Sequence, residues 1–187
     1  MHSFSDEIAK KRAANGKTFQ KAFGVALSDS DKPSQFRTIR TGGKVTIFTV
    51  GYEKRSGEEL MSMLRNAGVE VLADIREKPV SRVADFRGSA LREFCEQAGI
   101  AYEGWPELGS TEKQRDDLKE TGDFKAFERR FRSHVVKFCE EALAKLSESA
   151  KKKTVALLCY ERLHEECHRS VVADLVADRL IASVVAI

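Results

Sequence analysis

The chain has no long hydrophobic run. Among its 187 residues, the longest apolar stretches are residues 155–158 and 181–187. Both are far shorter than the roughly 20 residues that a membrane-spanning helix needs. The first residues are polar and charged and lack the apolar segment of a signal peptide. We therefore expect a cytoplasmic protein without membrane association.

Cysteine is scarce, at four residues, and no two of them form a C-x-x-C pair. A chain of this length builds a core without cross-links, so we expect free thiols rather than a disulfide framework. Cys95 and Cys139 fall on or near the apolar faces of predicted helices, where buried thiols are common. Cys159 and Cys167 have polar and charged neighbours instead, which makes them candidates for chemistry.

The formal net charge of +3 is small and unevenly distributed. Residues 1–44 contain nine Lys or Arg and four acidic residues, a balance of +5, so the remainder carries −2. The basic excess therefore lies in the N-terminal segment and not on the domain. We interpret this segment as a solvated tail and keep contact with nucleic acid or a membrane surface as the alternative.

The first 43 residues differ from the rest. Residues 1–43 lack a sustained apolar period and include the polar run S-D-S-D-K-P-S. This composition predicts a basic N-terminal extension, loosely attached, with a short helix over Asp6–Ala22. Residues 44–187 are expected to form a single domain.

Strand-like and helix-like segments alternate after the extension. The β-rich runs are Val45–Val50, Val69–Asp74, Ile100–Tyr102, Val155–Cys159 and Ser183–Ile187. Helices are predicted between them from apolar residues at helical spacing, including one long helix with a face of Phe124, Phe127, Phe131, Val135, Phe138 and Ala142. Because parallel strands need crossover connections, this alternation predicts an α/β fold, a three-layer sandwich around a mainly parallel sheet.

Polar residues follow several of the predicted strands. The candidates at these strand ends are Gly51 and the residues Tyr52, Asp74, Arg76, Arg82, Glu107, Cys159, Glu161 and Arg162. Since the carboxyl ends of parallel strands open on one edge, we expect a polar pocket there. The simpler alternative is that Asp74 and Arg76 only pair with each other or cap a helix.

Three arginines suggest that the pocket binds an anion. Arg169 falls in the first turns of the last predicted helix, where free amide groups also favour negative charge. With Arg76 and Arg162 it would offer guanidinium groups, which bind phosphate or carboxylate through paired hydrogen bonds. The alternative is a set of structural ion pairs with nearby carboxylates.

Cys159 is a candidate nucleophile because a helix amino end and nearby arginines favour a thiolate. Cysteine phosphatases place an arginine six positions after such a cysteine. Here Glu165 stands at that position, and Ala173 stands six positions after Cys167. The sequence therefore excludes that type of phosphate loop, and a buried core thiol remains the alternative.

His168 has two interpretations, as an acid–base group beside Cys159 or Asp74 and as a hydrogen-bonding residue at a helix start. Zinc is a further alternative, since His164 and His168 are spaced i, i+4 near Cys159 and Cys167. However, adjacent Cys167 and His168 would point roughly 100° apart if both were helical. We therefore assign no metal ligands and leave the cofactor open.

Four motifs in order, TVGYEKRSGEEL, EVLADIREKPVSR, IAYEGWPELGS and VALLCYERLHEECHRS, resemble a bacterial family, the domain of unknown function four-eight-eight. The resemblance covers about Val45–Leu180. It falls on Gly51, Tyr52, Asp74, Arg76, Pro79, Arg82, Glu107, Gly109, Cys159, Glu161, Cys167, His168 and Arg169. It implies an α/β domain without a settled activity. Tyr52 stands where many members have histidine, which argues against chemistry that needs an imidazole there.

The leading hypothesis is a pocket for an anionic small molecule, a nucleotide or another phosphate-bearing ligand, in a protein that is either an enzyme or a binding domain. Asp74, Cys159, Glu161 and His168 are the candidate catalytic residues. The candidate binding residues are Gly51, Tyr52, Arg76, Arg82, Glu107, Arg162, Cys167 and Arg169. The alternatives are a nucleic-acid binding or interaction module and a sensor based on thiols or metal.

Overall fold

The computed structural model describes residues 36–187, which form six strands and six helices. The strands are β1 (Arg37–Arg40), β2 (Thr46–Gly51), β3 (Val71–Asp74), β4 (Ala101–Gly104), β5 (Val155–Cys159) and β6 (Ser183–Ala186). The helices are α1 (Gly57–Asn66), α2 (Gly88–Ala98), α3 (Glu112–Thr121), α4 (Phe124–Phe138), α5 (Glu140–Lys152) and α6 (His168–Leu180). The helix predicted over Asp6–Ala22 lies outside the described residues.

All six strands form one sheet in the order β1-β6-β2-β5-β3-β4. Every neighbouring pair is parallel except β1 and β6, which are antiparallel. The register sets Gly51 opposite Cys159 and Asp74 opposite Leu158, so β2, β5 and β3 end at nearly the same level. The mainly parallel sheet predicted from the sequence is confirmed.

Helices cover both faces of the sheet. Because side chains alternate along a strand, Ile47 and Leu157 face one apolar core while Phe48 and Leu158 face another. The first core contains residues of α4, α5 and α6, and the second contains residues of α1 and α2. The three-layer α/β sandwich is therefore also confirmed.

Local sequence signals account for several helix ends. Ser56 and Glu59 form the predicted capping box at the start of α1. Gly99 ends α2 in the left-handed conformation, with φ of 71°, which a residue without a Cβ adopts at little cost. No helix in residues 36–187 is both long and apolar enough to cross a bilayer.

The long helix predicted from Phe124 to Ala142 is two helices. The helical backbone is interrupted at Cys139, whose φ and ψ are −117° and 21°, and α5 begins at the next residue. As a result, Phe138 is an exposed residue, whereas Leu143 and Leu146 are buried against the sheet. The apolar spacing that continues across Cys139 conceals this break.

Strand β1 lies within the segment that the sequence assigns to the N-terminal extension. Its four residues, RTIR, contain one apolar side chain and therefore carry no alternating pattern that would indicate a strand. The strand pairs with β6 at the edge of the sheet, and Arg40 forms an ion pair with Asp178 of α6. The sheet thus begins before the boundary predicted at residue 44.

The chain changes direction across the sheet between β2 and β5. From β2 it runs through α1 to β3, toward one edge, whereas from β5 it runs through α6 to β6, toward the other edge. The two connecting helices lie on opposite faces. Such a reversal opens a crevice at the carboxyl ends of the strands, which is where open α/β sheets bind their ligands.

Gly51, the last residue of β2, contacts the loop that follows β5. A Cβ atom at this position would lie 1.8 Å from the carbonyl oxygen of Glu161 and 3.0 Å from Cα of Arg162. Only glycine therefore allows this loop to lie against the end of β2. The conformation of the loop matters because it carries candidate site residues.

We predict that Gly51→Ala destabilises the protein by about 1–3 kcal/mol, because the added methyl group must displace backbone. Urea unfolding of the full chain measures this change. The matched control is Gly104→Ala in β4, where an added Cβ has no atom within 4 Å. An equal effect of both substitutions would show that the contact at Gly51 imposes no such constraint.

Candidate functional site

A cleft of about 410 Å³ opens at the carboxyl ends of β2, β3 and β5. We call it the strand-end cleft. Helix α3 and the start of α6 complete its walls. Its lining residues are Tyr52, Arg76, Glu77, Lys78, Val80, Ser110, Glu112, Arg115, Asp116, Lys119, Cys159, Tyr160, Glu161 and His168. The cleft therefore occupies the crevice created by the change of direction between β2 and β5.

Three buried groups meet at the floor of the cleft: the thiols of Cys159 and Cys167 and the imidazole of His168. Their ligand atoms all lie within 4.8 Å of one another. Cys159 ends β5, and Cys167 and His168 begin α6, so a single strand–loop–helix unit supplies all three. We call this group the floor triad.

The orientation of His168 is fixed by the backbone of the neighbouring strand end. Its Nε2 lies 3.0 Å from the carbonyl oxygen of Ile75, which is only an acceptor, so Nε2 carries the proton and donates it. In the neutral ring, the lone pair of Nδ1 then faces Sγ of Cys159 and Oγ of Ser110, each at 3.5 Å. His168 therefore presents a base, or a metal ligand, to the thiols.

Cys167 and His168 lie side by side, unlike the expectation from a continuous helix. Cys167 is the N-cap residue of α6 and has the extended backbone angles φ −132° and ψ 143°. Its side chain is therefore not constrained to the 100° rotation between successive helical residues. Its Sγ lies 3.9 Å from Nδ1 of His168. The argument from helical spacing, that Cys167 and His168 cannot both bind one ion, therefore does not apply to this pair.

Glu161 flanks the floor triad. The thiol of Cys159 donates a hydrogen bond of 3.1 Å to its carboxylate. Burial alone would raise the pKa of Glu161, but hydrogen bonds from the thiols of Cys167 and Cys159 outweigh it, so the pKa lies below its ordinary value. Burial raises the pKa of the Cys167 thiol well above its ordinary value. Of the two thiols, only Cys159 lines the cleft.

Asp74 and Arg76 form a buried ion pair, with residue exposures of 1% and 7%. Nε of Arg76 donates to Oδ1 of Asp74 at 2.8 Å, and the hydroxyl of Tyr102 donates to Oδ2 at 2.8 Å. Arg76 also donates to the hydroxyl of Tyr52 at 3.0 Å and to the carbonyl of Phe86 at 2.8 Å. Both Asp74 oxygens thus have partners, as the simpler sequence interpretation of this pair supposed.

Arg169 holds the loop after β5 and does not line the cleft. It is 1% exposed and donates through its guanidinium to the backbone carbonyls of Glu161 and Arg162. The backbone amide of Arg162 in turn donates to the Glu53 carboxylate at 3.2 Å. The side chain of Arg162 itself is exposed. Of the three arginines Arg76, Arg162 and Arg169, only Arg76 lines the cleft.

The remaining predicted site residues lie apart from the cleft. Arg82 and Glu107 are exposed residues of the loops after β3 and β4 and do not line it. His164 is buried and shares a hydrogen bond of 3.0 Å with Thr49, away from the floor triad. Burial lowers the pKa of His164 to about 4, so its ring stays neutral at pH 7. Gly51 acts through its contact with the loop after β5.

Sequence reasoning missed the contribution of α3 and of the segment before it. Ser110 is buried against His168, while Arg115 and Lys119 lie on the cleft wall. Arg115 and Lys119 belong to a strongly charged helix without a buried residue, which by itself is typical of a solvated surface element. The signal that could have found Ser110 is its place directly after the P-E-L-G motif.

The fold and the cleft define a three-layer α/β protein with a polar site at the ends of its strands. The model of the family described as Domain of unknown function DUF488 matches residues 56–176. The match covers more than half of the chain, and the chain therefore belongs to this family, which confirms the resemblance seen in the motifs. No curated protein and no solved structure matches it. The matched range begins within the first motif, just after Gly51 and Tyr52.

We predict that Asp74→Ala destabilises the protein by about 3–5 kcal/mol, because it leaves the guanidinium of Arg76 buried without its counterion. Urea unfolding measures the loss. The matched control is Glu141→Ala, which breaks the exposed Glu141–Lys145 pair and should cost no more than about 1 kcal/mol. Similar losses in both variants would contradict a structural role for the buried pair.

Proposed function

We propose that the strand-end cleft binds a small phosphate-bearing ligand, with a nucleotide as the leading candidate, and holds it against Cys159, Glu161 and His168. The observation that carries the proposal is the position of these three groups at the floor of a cleft that coincides with the change of chain direction in the sheet. The cleft volume of about 410 Å³ falls within the range of small-molecule sites.

The rim of the cleft supplies cations that a phosphate group can recruit. Lys119 pairs with Asp116 at 2.8 Å, and Lys78 lies 3.9 Å from Glu112. All four side chains are largely exposed, and exposed ion pairs of this kind contribute only about 0–1 kcal/mol. Exchanging these partners for a phosphate therefore costs little.

An exposed aromatic ring at the cleft favours a nucleotide over inorganic phosphate as the ligand. Tyr160 lines the cleft with half of its surface exposed, and its ring meets that of Tyr52 edge-on at 5.4 Å. An exposed ring beside a cationic rim offers a stacking surface for a base while the phosphate engages the lysines. Tyr52 itself is buried and stacked on Phe86, so it forms part of the rigid wall.

The proposal separates the candidate residues that would contact the ligand from those that hold other residues in place. Cys159, Glu161 and His168 line the cleft and are the groups that would contact the ligand. Asp74 is buried with both carboxylate oxygens occupied, and Arg169 is bound to backbone carbonyls. We therefore infer that Asp74 and Arg169 are positioning residues, which keep Arg76 and the loop after β5 in place.

We predict that inorganic phosphate or a nucleoside monophosphate raises the melting temperature of the full chain, and that Lys78→Ala/Lys119→Ala reduces the rise. A ligand at 100 times its dissociation constant stabilises the folded state by about 2.7 kcal/mol. A thermal-shift titration measures the effect, with short single-stranded DNA and RNA included as probes.

The matched control is Lys151→Ala/Lys152→Ala, which removes two lysines from a groove at the amino ends of the strands, away from the strand-end cleft. If neither probe shifts the wild-type protein, or if both double variants respond alike, the strand-end cleft is not the phosphate site. A shift by nucleic acid alone that remains in Lys78→Ala/Lys119→Ala would instead favour the nucleic-acid alternative.

A further inference from the structure

Four Lewis-basic groups converge at the floor of the strand-end cleft. They are the thiols of Cys159 and Cys167, the imidazole of His168 and the carboxylate of Glu161. The first three are buried, and their ligand atoms lie mutually within 4.8 Å. Lone pairs gathered this closely in a buried site repel one another unless protons or a cation lie between them.

The distances suit a tetrahedral metal centre. Zinc bonds of about 2.3 Å to sulfur and 2.0–2.1 Å to nitrogen place sulfur and nitrogen ligands about 3.5 Å apart. In the structure, Nδ1 of His168 lies 3.5 Å from Sγ of Cys159 and 3.9 Å from Sγ of Cys167. These two nitrogen–sulfur distances lie within a few tenths of an ångström of the value for coordination, and the two sulfur atoms lie within 4.8 Å of each other.

The surroundings also resemble those of a metal ligand set. Histidine ligands typically donate their second ring nitrogen to a carbonyl or carboxylate, which fixes the ring. Nε2 of His168 donates to the carbonyl of Ile75 at 3.0 Å, and the ring packs edge-on against Phe131. Nδ1 is thereby held toward the two sulfur atoms.

We propose that Cys159, Cys167 and His168 bind one zinc ion, whose fourth coordination position opens to the cleft beside Glu161. Among the divalent metals, zinc is one that favours thiolate and imidazole donors. Three protein ligands with an open position are typical of reactive zinc sites, whereas structural sites are closed by four. Both thiols lose their protons when the ion binds.

The ion would supply a Lewis-acidic centre, whereas the cationic side chains of the cleft lining are already paired with carboxylates. Arg76 is paired with Asp74, Arg115 with Glu77, and the two lysines with exposed acids. A zinc ion at the floor would attract an anionic oxygen of the ligand. This last step rests on the proposed function, whereas the metal site itself does not. In this arrangement Cys159 is a ligand of the ion and not a nucleophile.

The test is the metal content of the full chain, prepared under reducing conditions, stripped with a chelator and titrated with Zn²⁺ and then Co²⁺. We expect about one equivalent of tightly bound zinc per chain and, with cobalt, the absorption of a tetrahedral thiolate complex. Cys159→Ser and Cys167→Ser should lower the zinc affinity by at least about tenfold. The matched control is Cys95→Ser, which removes a buried thiol from the core that contains residues of α1 and α2 and should leave the zinc affinity unchanged.

Titration of the wild-type protein keeps the proposal falsifiable even if a serine variant does not fold. Less than about a tenth of an equivalent of zinc, or cobalt without thiolate absorption, would overturn it. An unchanged zinc affinity in a folded Cys159→Ser variant would also overturn the proposal. Zinc binding without any phosphate shift would defeat only the proposed ligand class. A phosphate shift in the metal-free protein, without zinc binding, would defeat only the metal site.

Discussion

The site depends on the contact between Arg169 and the loop after β5. The guanidinium is buried at the start of α6 and donates to the carbonyls of Glu161 and Arg162, so it ties the end of one strand to the beginning of the next helix. Because Arg169 follows Cys167 and His168 directly, the same contact sets their distance from Cys159. A buried charge is costly without strong hydrogen bonds, and here those bonds hold the loop in place. Gly51 complements this arrangement, because the loop lies where any larger residue would project.

Much of the fold follows from patterns within short stretches of sequence. Apolar runs ended by glycine, capping residues and helical spacing predict the order of strands and helices, and this order implies parallel strands with helices on both faces. Two features escape such reasoning for physical reasons. β1 is an edge strand with one apolar residue, stabilised by pairing with a strand more than 140 positions away. The break at Cys139 ends one helix and begins another, although apolar residues continue at helical spacing across it.

The site was less predictable than the fold, since it depends on contacts between distant segments. Some of the polar residues predicted at the strand ends line the cleft, but composition does not reveal which of them do so. Arg76 and Arg169 are both buried arginines of short motifs, yet one binds a carboxylate and the other binds backbone carbonyls. Helical spacing predicts that Cys167 and His168 point too far apart to bind one ion, but Cys167 is the extended N-cap residue of α6 and escapes that constraint. Ser110 and α3 reach the site through a turn that has no periodic signal.

A metal centre formed by the floor triad would place its ion at the bottom of the strand-end cleft. X-ray absorption at the zinc edge tests this site directly, measured on the wild-type chain loaded with one equivalent of Zn²⁺. A zinc ion bound by the triad should have two sulfur neighbours at about 2.3 Å and one nitrogen neighbour at about 2.0–2.1 Å, with an oxygen atom completing the shell. A shell of oxygen and nitrogen alone would contradict it, because the ion would then lie at the surface and not between Cys159, Cys167 and His168.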